Sequence, residues 1–451
     1  MSRLPLPTVL LFSVASLGAN LVFAFFNFAM PQYLDSYHLR PALIGLLANE
    51  RSFVGGFIQP VIGRLSDRVR TPLGRRRPFF LVGVPLAAAS LLALGLHPPF
   101  VVMILIVPVA AFFLFIAFDP YLAMMADITP PAQRGRVGAA LAVAGMLGAI
   151  LFNLAAGFLW AAHERTVFGL TAVGLVVCFG ITFVAVREPP PMAAAPRVAR
   201  NPLRYLRELR AHRALARYVG ALSIFYLGAG GATPFVTLFA VKALGVSSGT
   251  AFFLLIILVL CTALGAVPAG LLADRIGKEP VLAGGMATFA VGTLLASQAP
   301  SLGPVIPLMV LVGLGNACPT ALAIPLLSDL SPAARMGEFI GLGSFVWSVV
   351  QPAGSFCAGL LVTSALPFTY RHTFIWAGVL IAAAAVAMLT VRPALGQDSF
   401  VEDAIISHAQ RLRDAEEARL WRQAASDPVY QAEVQALDAL FAEDDPCVWE
   451  G

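Results

Sequence analysis

The sequence predicts an all-α membrane protein: twelve transmembrane helices arranged as two pseudo-symmetric six-helix bundles. Three observations carry this. First, hydrophobic residues make up 59% of the 451 positions and charged residues 12%, with a mean hydropathy of +0.82. That charged fraction is about half the roughly 25% of a soluble domain, so lipid must solvate most of the chain. Second, the apolar residues gather into twelve runs, each near the ~20 residues that cross a hydrocarbon core. They lie at roughly 7–31, 42–63, 79–97, 100–126, 137–161, 166–187, 216–241, 250–272, 280–299, 303–327, 338–363 and 373–391. The runs are continuous, not alternating, which selects helices over barrel strands. Third, two short motifs each occur twice, at matched places in the first and second sets of six runs. The same composition excludes a disordered chain, a coiled coil, a collagen and nearly every soluble enzyme.

The order of elements follows from the charges. The formal net charge of +5 divides into a basic body, residues 1–391 with 25 Lys+Arg and 12 Asp+Glu, and an acidic tail, residues 392–451 with 5 Arg and 13 Asp+Glu. With the N-terminus inside, cytoplasmic loops carry 19 cations: Arg64, Arg68, Arg70, Arg75, Arg76, Arg77, Arg134, Arg136, eight arginines from Arg187 to Arg217, Arg275, Lys278 and Arg335. Outer loops carry four, Arg40, Arg165, Lys242 and Arg371. This asymmetry predicts both termini in the cytoplasm and explains the basic pI without nucleic acid. The expected location is the cell membrane. Met1–Pro7 is a short polar start, and the apolar run after it is long enough to be retained as span 1. Residues 1–187 form the first bundle and 216–391 the second. Residues 188–215 form a cytoplasmic linker with Pro189, Pro190, Pro191 and Pro196 before its basic stretch. In the tail, Val434, Leu437 and Phe441 recur at helical spacing, on either a solvated acidic segment or a partner-binding helix. Cys178, Cys261, Cys318, Cys357 and Cys447 form no C-x-x-C pair, and no metal-like spacing occurs.

The repeats lie at the cytoplasmic ends of spans. After span 2 stands Gly63-Arg-Leu-Ser-Asp67-Arg68, then Gly74-Arg75-Arg76-Arg77; after span 8 stands Gly270-Leu-Leu-Ala-Asp274-Arg275-Ile-Gly277-Lys278. After spans 4 and 10 stand Asp127-Ile-Thr-Pro-Pro-Ala-Gln-Arg134 and Asp329-Leu-Ser-Pro-Ala-Ala-Arg335. This pattern resembles the loop signature of the major facilitator superfamily, over residues 1–391. The resemblance implies secondary transport by alternating access, spans 3, 6, 9 and 12 facing lipid, and the other spans around a central cavity. It assigns the repeated residues to gating, where an Asp caps a neighbouring helix and pairs with Arg. The first half is further similar to the sucrose/proton symporter group, through Gln59-Pro60-Val-Ile-Gly63 continuing to Arg77-Pro-Phe79, with Pro31-Gln32-Tyr33 and Pro120-Tyr121 in support. Leu122 stands where that group has an arginine, and Leu222–Lys242 lacks its span 7 acids.

Polar residues inside a bilayer are costly and therefore informative. Glu50 and Arg51 lie about nine residues into span 2, and Asp119 is an acid well inside span 4. Adjacent helical residues point about 100° apart, so Glu50 and Arg51 need partners on other spans. Arg51 and Asp119 are the expected charge pair, and Glu50 or Asp119 the proton or cation site; a static salt bridge, or exposure near a water-filled mouth, are the alternatives. Asn27, Gln32, Gln59, Asn153, Asn316, Trp347 and Gln351 are candidates for a neutral, hydroxylated solute, against a role in inter-helix hydrogen bonding. Tyr33, Asp35, Tyr37 and His38 read as anchors at the outer end of span 1. No phosphate loop or catalytic triad is evident, so neither an enzyme nor a cofactor is expected. The expected function is uptake of a small solute, a sugar or glycoside, with proton or sodium symport by a monomer in the lipid membrane. The alternatives are an exporter of amphipathic compounds and a transporter-like assembly or sensor protein.

Overall fold

The computed structural model describes residues 4–49, 58–59, 61–63, 65–66, 69–130, 133–188, 213–331, 336–363 and 368–391. Glu50, Arg51, Asp67, Arg68 and Arg335, most of the linker and the whole tail lie outside the described residues. Among the described residues the chain is helical, with one isolated bridge between Thr71 and Gly74.

Among the described residues, ten helical stretches are long and apolar enough to cross a membrane. One of them, Arg134–Ala185, is 52 residues long and turns back at His163, where φ is −140° and ψ 52°. Gly148 and Cys178 would stand about 45 Å apart on a straight helix. Instead Gly148 abuts Leu17 and Cys178 abuts Gly18, neighbours on span 1. The helix is therefore spans 5 and 6, which makes eleven. Span 2, begun by Pro41–Ala48, brings the fold into line with twelve.

Two buried clusters form: one fills the first half and continues across to Phe235, Phe239, Phe252 and Phe374 of the second, and the other lies within the second half. A tyrosine ties the spans of each half: the Tyr121 hydroxyl of span 4 donates to the Phe12 carbonyl of span 1 at 2.9 Å, and that of Tyr218 in span 7 to Ala323 of span 10 at 2.5 Å. Between the halves, span 5 packs on span 8 and span 2 on span 11.

The first span of each half breaks at a matched place, for a shared reason. A proline removes the N–H that the carbonyl four residues earlier would accept. Pro31 does this to Asn27, and span 1 widens into a π turn over Phe25–Ala29. Pro234 does it to Gly230, and span 7 tightens into a 3-10 turn over Thr233–Phe235. Backbone polar groups buried in a membrane need partners. The Gly230 carbonyl finds one in the Ser355 hydroxyl of span 11, which donates to it at 2.6 Å. At the π turn the Phe28 carbonyl accepts from Thr237 of the other half at 3.0 Å.

The halves meet on the face opposite the arginine-rich loops. The Asn49 amide donates to Ser355 Oγ at 2.5 Å, and Ala42 N–H to Thr363 Oγ1 at 3.2 Å. Lys242, at the end of span 7, pairs with Asp35, at the end of span 1, at 2.8 Å. Helix backbones approach closely here because the contact residues are glycines: a Cβ on Gly45 would lie 2.3 Å from the Ser355 carbonyl oxygen, and one on Gly359 2.4 Å from that of Pro41. On the arginine-bearing face, by contrast, Gly63, Gly135, Gly138 and Gly270 have nothing within 4 Å of where a Cβ would stand. The conformation is sealed on one face.

Candidate functional site

A cavity of about 280 Å³ opens at the two broken helices. This is near the lower end of the roughly 300–1,000 Å³ usual for ligand pockets. Asn27 lines it from the π turn of span 1 and Thr233 from the 3-10 turn of span 7; Thr262 of span 8 and Asn316 of span 10 complete its polar edge. The breaks are what aim Asn27 and Thr233 inward. The Asn316 amide donates to Thr262 Oγ1 at 3.4 Å, and that hydroxyl contacts the carbonyls of Leu258 and Gly313 at 2.9 and 3.1 Å. Apart from the Thr293 hydroxyl the remaining lining is apolar, and among the described residues no charged side chain borders the cavity. A neighbouring pocket shares Met146 and Val259 and continues past Ser16 and Asn20 of span 1.

Of the candidate solute-binding residues, Asn27 and Asn316 reach this cavity. Asn153 is fully buried outside the lining, its amide donating to the Ala149 carbonyl of its own helix at 2.8 Å and its Oδ1 without a partner among the described residues. Trp347 lies beside the Tyr226 ring with centroids 5.2 Å apart, outside the lining, and its Nε1 has no partner among the described residues. The Gln32 amide nitrogen is likewise buried without a partner, and the backbone of Gln351 lies against Gly230. One expectation is corrected. Spans 9 and 12 do not only face lipid, because Phe289, Thr293 and Ala296 of span 9 and Phe374 of span 12 border the cavity. Ala229 and Ala232, small side chains of span 7, line the same cavity.

Asp119 stands apart, between spans 2 and 4. Gln59 Nε2 donates to its Oδ1 at 3.2 Å, and its Oδ2 is buried with no partner among the described residues. Arg51, its expected partner, lies outside the described residues.

The repeated loop motifs form matched ion pairs on the arginine-bearing face. In the first half Asp127 receives Arg75 Nη2 and Arg76 Nε, both at 2.6 Å. Glu188, at the end of span 6, completes the cluster, 3.4 Å from Arg75 Nε and accepting the Arg76 backbone N–H at 2.9 Å. In the second half Lys278 pairs with Asp329. The loop cation thus reaches the acid that ends span 4 or span 10. Asp274 and Arg275 are exposed, and Arg134 contacts the Ala126 carbonyl at 3.3 Å. Gly74 and Gly277 occupy equivalent turns with φ of +107° and +96°, a region where a side chain is strained.

Sequence reasoning missed Glu188, Ser355, Thr363 and the pairing of Lys242 with Asp35. Pro234 was the usable signal for Ser355, since it advertises a carbonyl in need of a donor. Beside Asp35, the Tyr33 and Tyr37 hydroxyls donate to the carbonyls of Leu94 and Pro98 at 2.7 and 2.8 Å.

Comparison with known proteins adds the lineage. A family model described as Major Facilitator Superfamily matches residues 12–258 and again residues 218–442. The chain is 35% identical over 98 residues to the inner membrane transport protein YajR of Escherichia coli (strain K12), covering 22% of this chain and 21% of YajR. It is 37% identical over 87 residues to the general alpha-glucoside permease of Schizosaccharomyces pombe (strain 972 / ATCC 24843), covering 19% and 16%. The chain thus spans about a fifth of the length of these curated relatives. In fold it is similar to a D-xylose-proton symporter, with a TM-score of 0.68 at 15% identity over 85% of this chain and 97% of that one. Matched twice by one family model over most of its length, the chain belongs to the Major Facilitator Superfamily of membrane transporters.

Proposed function

We propose that this transporter carries a small neutral solute, a sugar or glycoside first among candidates, by alternating access with proton or cation symport. The observation that carries the reading is the cavity. It sits at the breaks of spans 1 and 7, it is bordered by residues of both halves, and among the described residues its polar edge consists of amides and hydroxyls without a charge. Such an edge matches the donors and acceptors of a hydroxylated ligand and offers no counter-ion to an ionic one. Partial similarity to a glucoside permease and a shared fold with a xylose symporter point the same way. The positive-inside bias supports both termini in the cytoplasm, so the sealed face is the outer one and the conformation faces inward.

Asp119 is the proposed coupling residue. A carboxyl inside the membrane with one oxygen unpartnered among the described residues is suited to take up and release a proton as the halves move. The test is uptake by proteoliposomes from a panel of labelled sugars, with and without an imposed pH gradient. Stimulation of uptake by the gradient in wild-type protein, lost in Asp119→Asn with exchange retained, is the expected result. No uptake of any sugar under either gradient refutes the cargo; unchanged stimulation in Asp119→Asn refutes the coupling site.

A further inference from the structure

The cavity has a second end. We infer that it is a two-part site, in which the second half supplies an apolar subsite for an aromatic or similarly bulky apolar group attached to the neutral polar solute. The inference rests on reading the cavity as the solute site and adds the shape of what enters it.

Asn27 and Thr233 belong to the spans that join the two halves, whereas Phe289, Thr293 and Ala296 belong to span 9, which packs on spans 10 and 12 at the side of the second bundle. One cavity reaches both, so it must pass through the layer made by spans 7 and 10. The lining residues of that layer include the small Ala229 and Ala232 of span 7 and Val312 of span 10. Beyond that opening the wall is Phe289, Met309, Ala296 and Phe374, with the Thr293 hydroxyl as its polar atom. Four of the five polar side chains, Asn27, Thr233, Thr262 and Asn316, thus belong to spans 1, 7, 8 and 10, whereas spans 9 and 12 contribute two rings and an alanine with one hydroxyl. A bare sugar would leave that surface uncovered by ligand. A solute bearing a ring would remove both surfaces from water, and apolar burial favours the occupant that does.

The test uses full-length protein in lipid nanodiscs and two pairs of probes, each with an aromatic and a truncated member: phenyl and methyl β-glucoside, and benzamide and acetamide. The second pair keeps a neutral hydrogen-bonding end without a sugar. Affinity is measured by equilibrium dialysis, and the readout is the ratio within a pair, since a general loss of folding lowers both members together. The aromatic member is expected to bind at least tenfold more tightly in at least one pair. Ala229→Leu, which narrows the opening, and Thr293→Leu, which fills the space beyond it, are each expected to bring that ratio below threefold. Silence of both glucosides with benzamide still preferred over acetamide sinks the sugar reading and supports the subsite. A ratio below threefold in both pairs, a ratio that survives both substitutions, or no binding by any of the four probes overturns the subsite.

Discussion

Ser355 holds two helices at once, and removing its hydroxyl separates two effects. Its bond to the Gly230 carbonyl lies within the second half and persists in any rigid-body motion of that half. Its bond from Asn49 crosses between the halves and exists on the sealed face. Asn49 is 3% exposed, so in Ser355→Ala its amide stays buried without that partner. An unsatisfied buried polar group costs about 1–3 kcal/mol. Taking about 1.5 kcal/mol, the sealed state loses about tenfold against states in which water reaches the amide. Asn49→Ala removes the same crossing bond but leaves Gly230 satisfied, so it should shift the equilibrium several-fold with less loss of stability. Spin labels at Arg40 and Thr369, in a background without the native cysteines, report the separation of the halves on that face. Both variants should enrich the long-distance population, and the double variant should add little to Ser355→Ala. If both single variants keep the wild-type distribution, the crossing bond does not hold the seal.

Three further outcomes follow from the same geometry. Lys242 and Asp35 form a partly exposed pair, worth about 1 kcal/mol or less; Asp35→Lys should therefore widen the same distance distribution several-fold, and the swapped double variant Asp35→Lys/Lys242→Asp should restore it. Pro234→Ala returns an N–H to the Gly230 carbonyl, so span 7 should straighten, the melting temperature rise and solute exchange fall, since an interior proline costs a helix about 3 kcal/mol; exchange at the wild-type rate would show that the break is not needed. Gly74→Ala places a Cβ at φ +107° and 2.4 Å from Glu188 Oε2, which should lower the melting temperature by several degrees, whereas Gly63→Ala, with open space around it, should leave it within one degree.

The spans were legible because membrane crossing is a local property: twenty apolar residues announce themselves. The repeat was legible because the matched loops need the same turn chemistry, and Gly74 and Gly277 adopt the same left-handed φ. Angular orientation was not. Asn27 and Asn153 look alike in sequence, each an amide in an apolar run, yet one borders the cavity and the other bonds to its own helix. What separates them is Pro31, whose effect on the turn depends on how the strain is relieved. Pairings such as Asn49 with Ser355 are set by the packing of helices 306 residues apart in the chain, and no local pattern encodes that register. The role of span 9 was hidden for a different reason: its residues are apolar, as a lipid-facing helix requires.

The two kinds of contact in this molecule differ in strength in a way that matters for motion. Within the first half Arg76 is 6% exposed and held by Asp127, Ser66 and, through its N–H, Glu188. Breaking a buried ion pair by removing one partner costs about 3–5 kcal/mol. Between the halves, the named polar links are single neutral hydrogen bonds at Thr363, Ser355 and Thr237 and one partly exposed ion pair. Each is worth about 1 kcal/mol, and on parting each can trade its partner for water. Glycine-mediated backbone contacts add dispersion, and rings also cross the seam, Phe158 beside Phe253 with centroids 5.0 Å apart and Trp160 beside Phe252 at 5.4 Å. In its polar links, then, the seam is weaker than the cluster inside the first half, and it runs from the face sealed by Lys242 and Asp35 to the breaks at Asn27 and Thr233. A force that opens the sealed face should break these single links before the Arg76 cluster, uncovering Asn49, Ser355 and Thr363 on the way to the cavity.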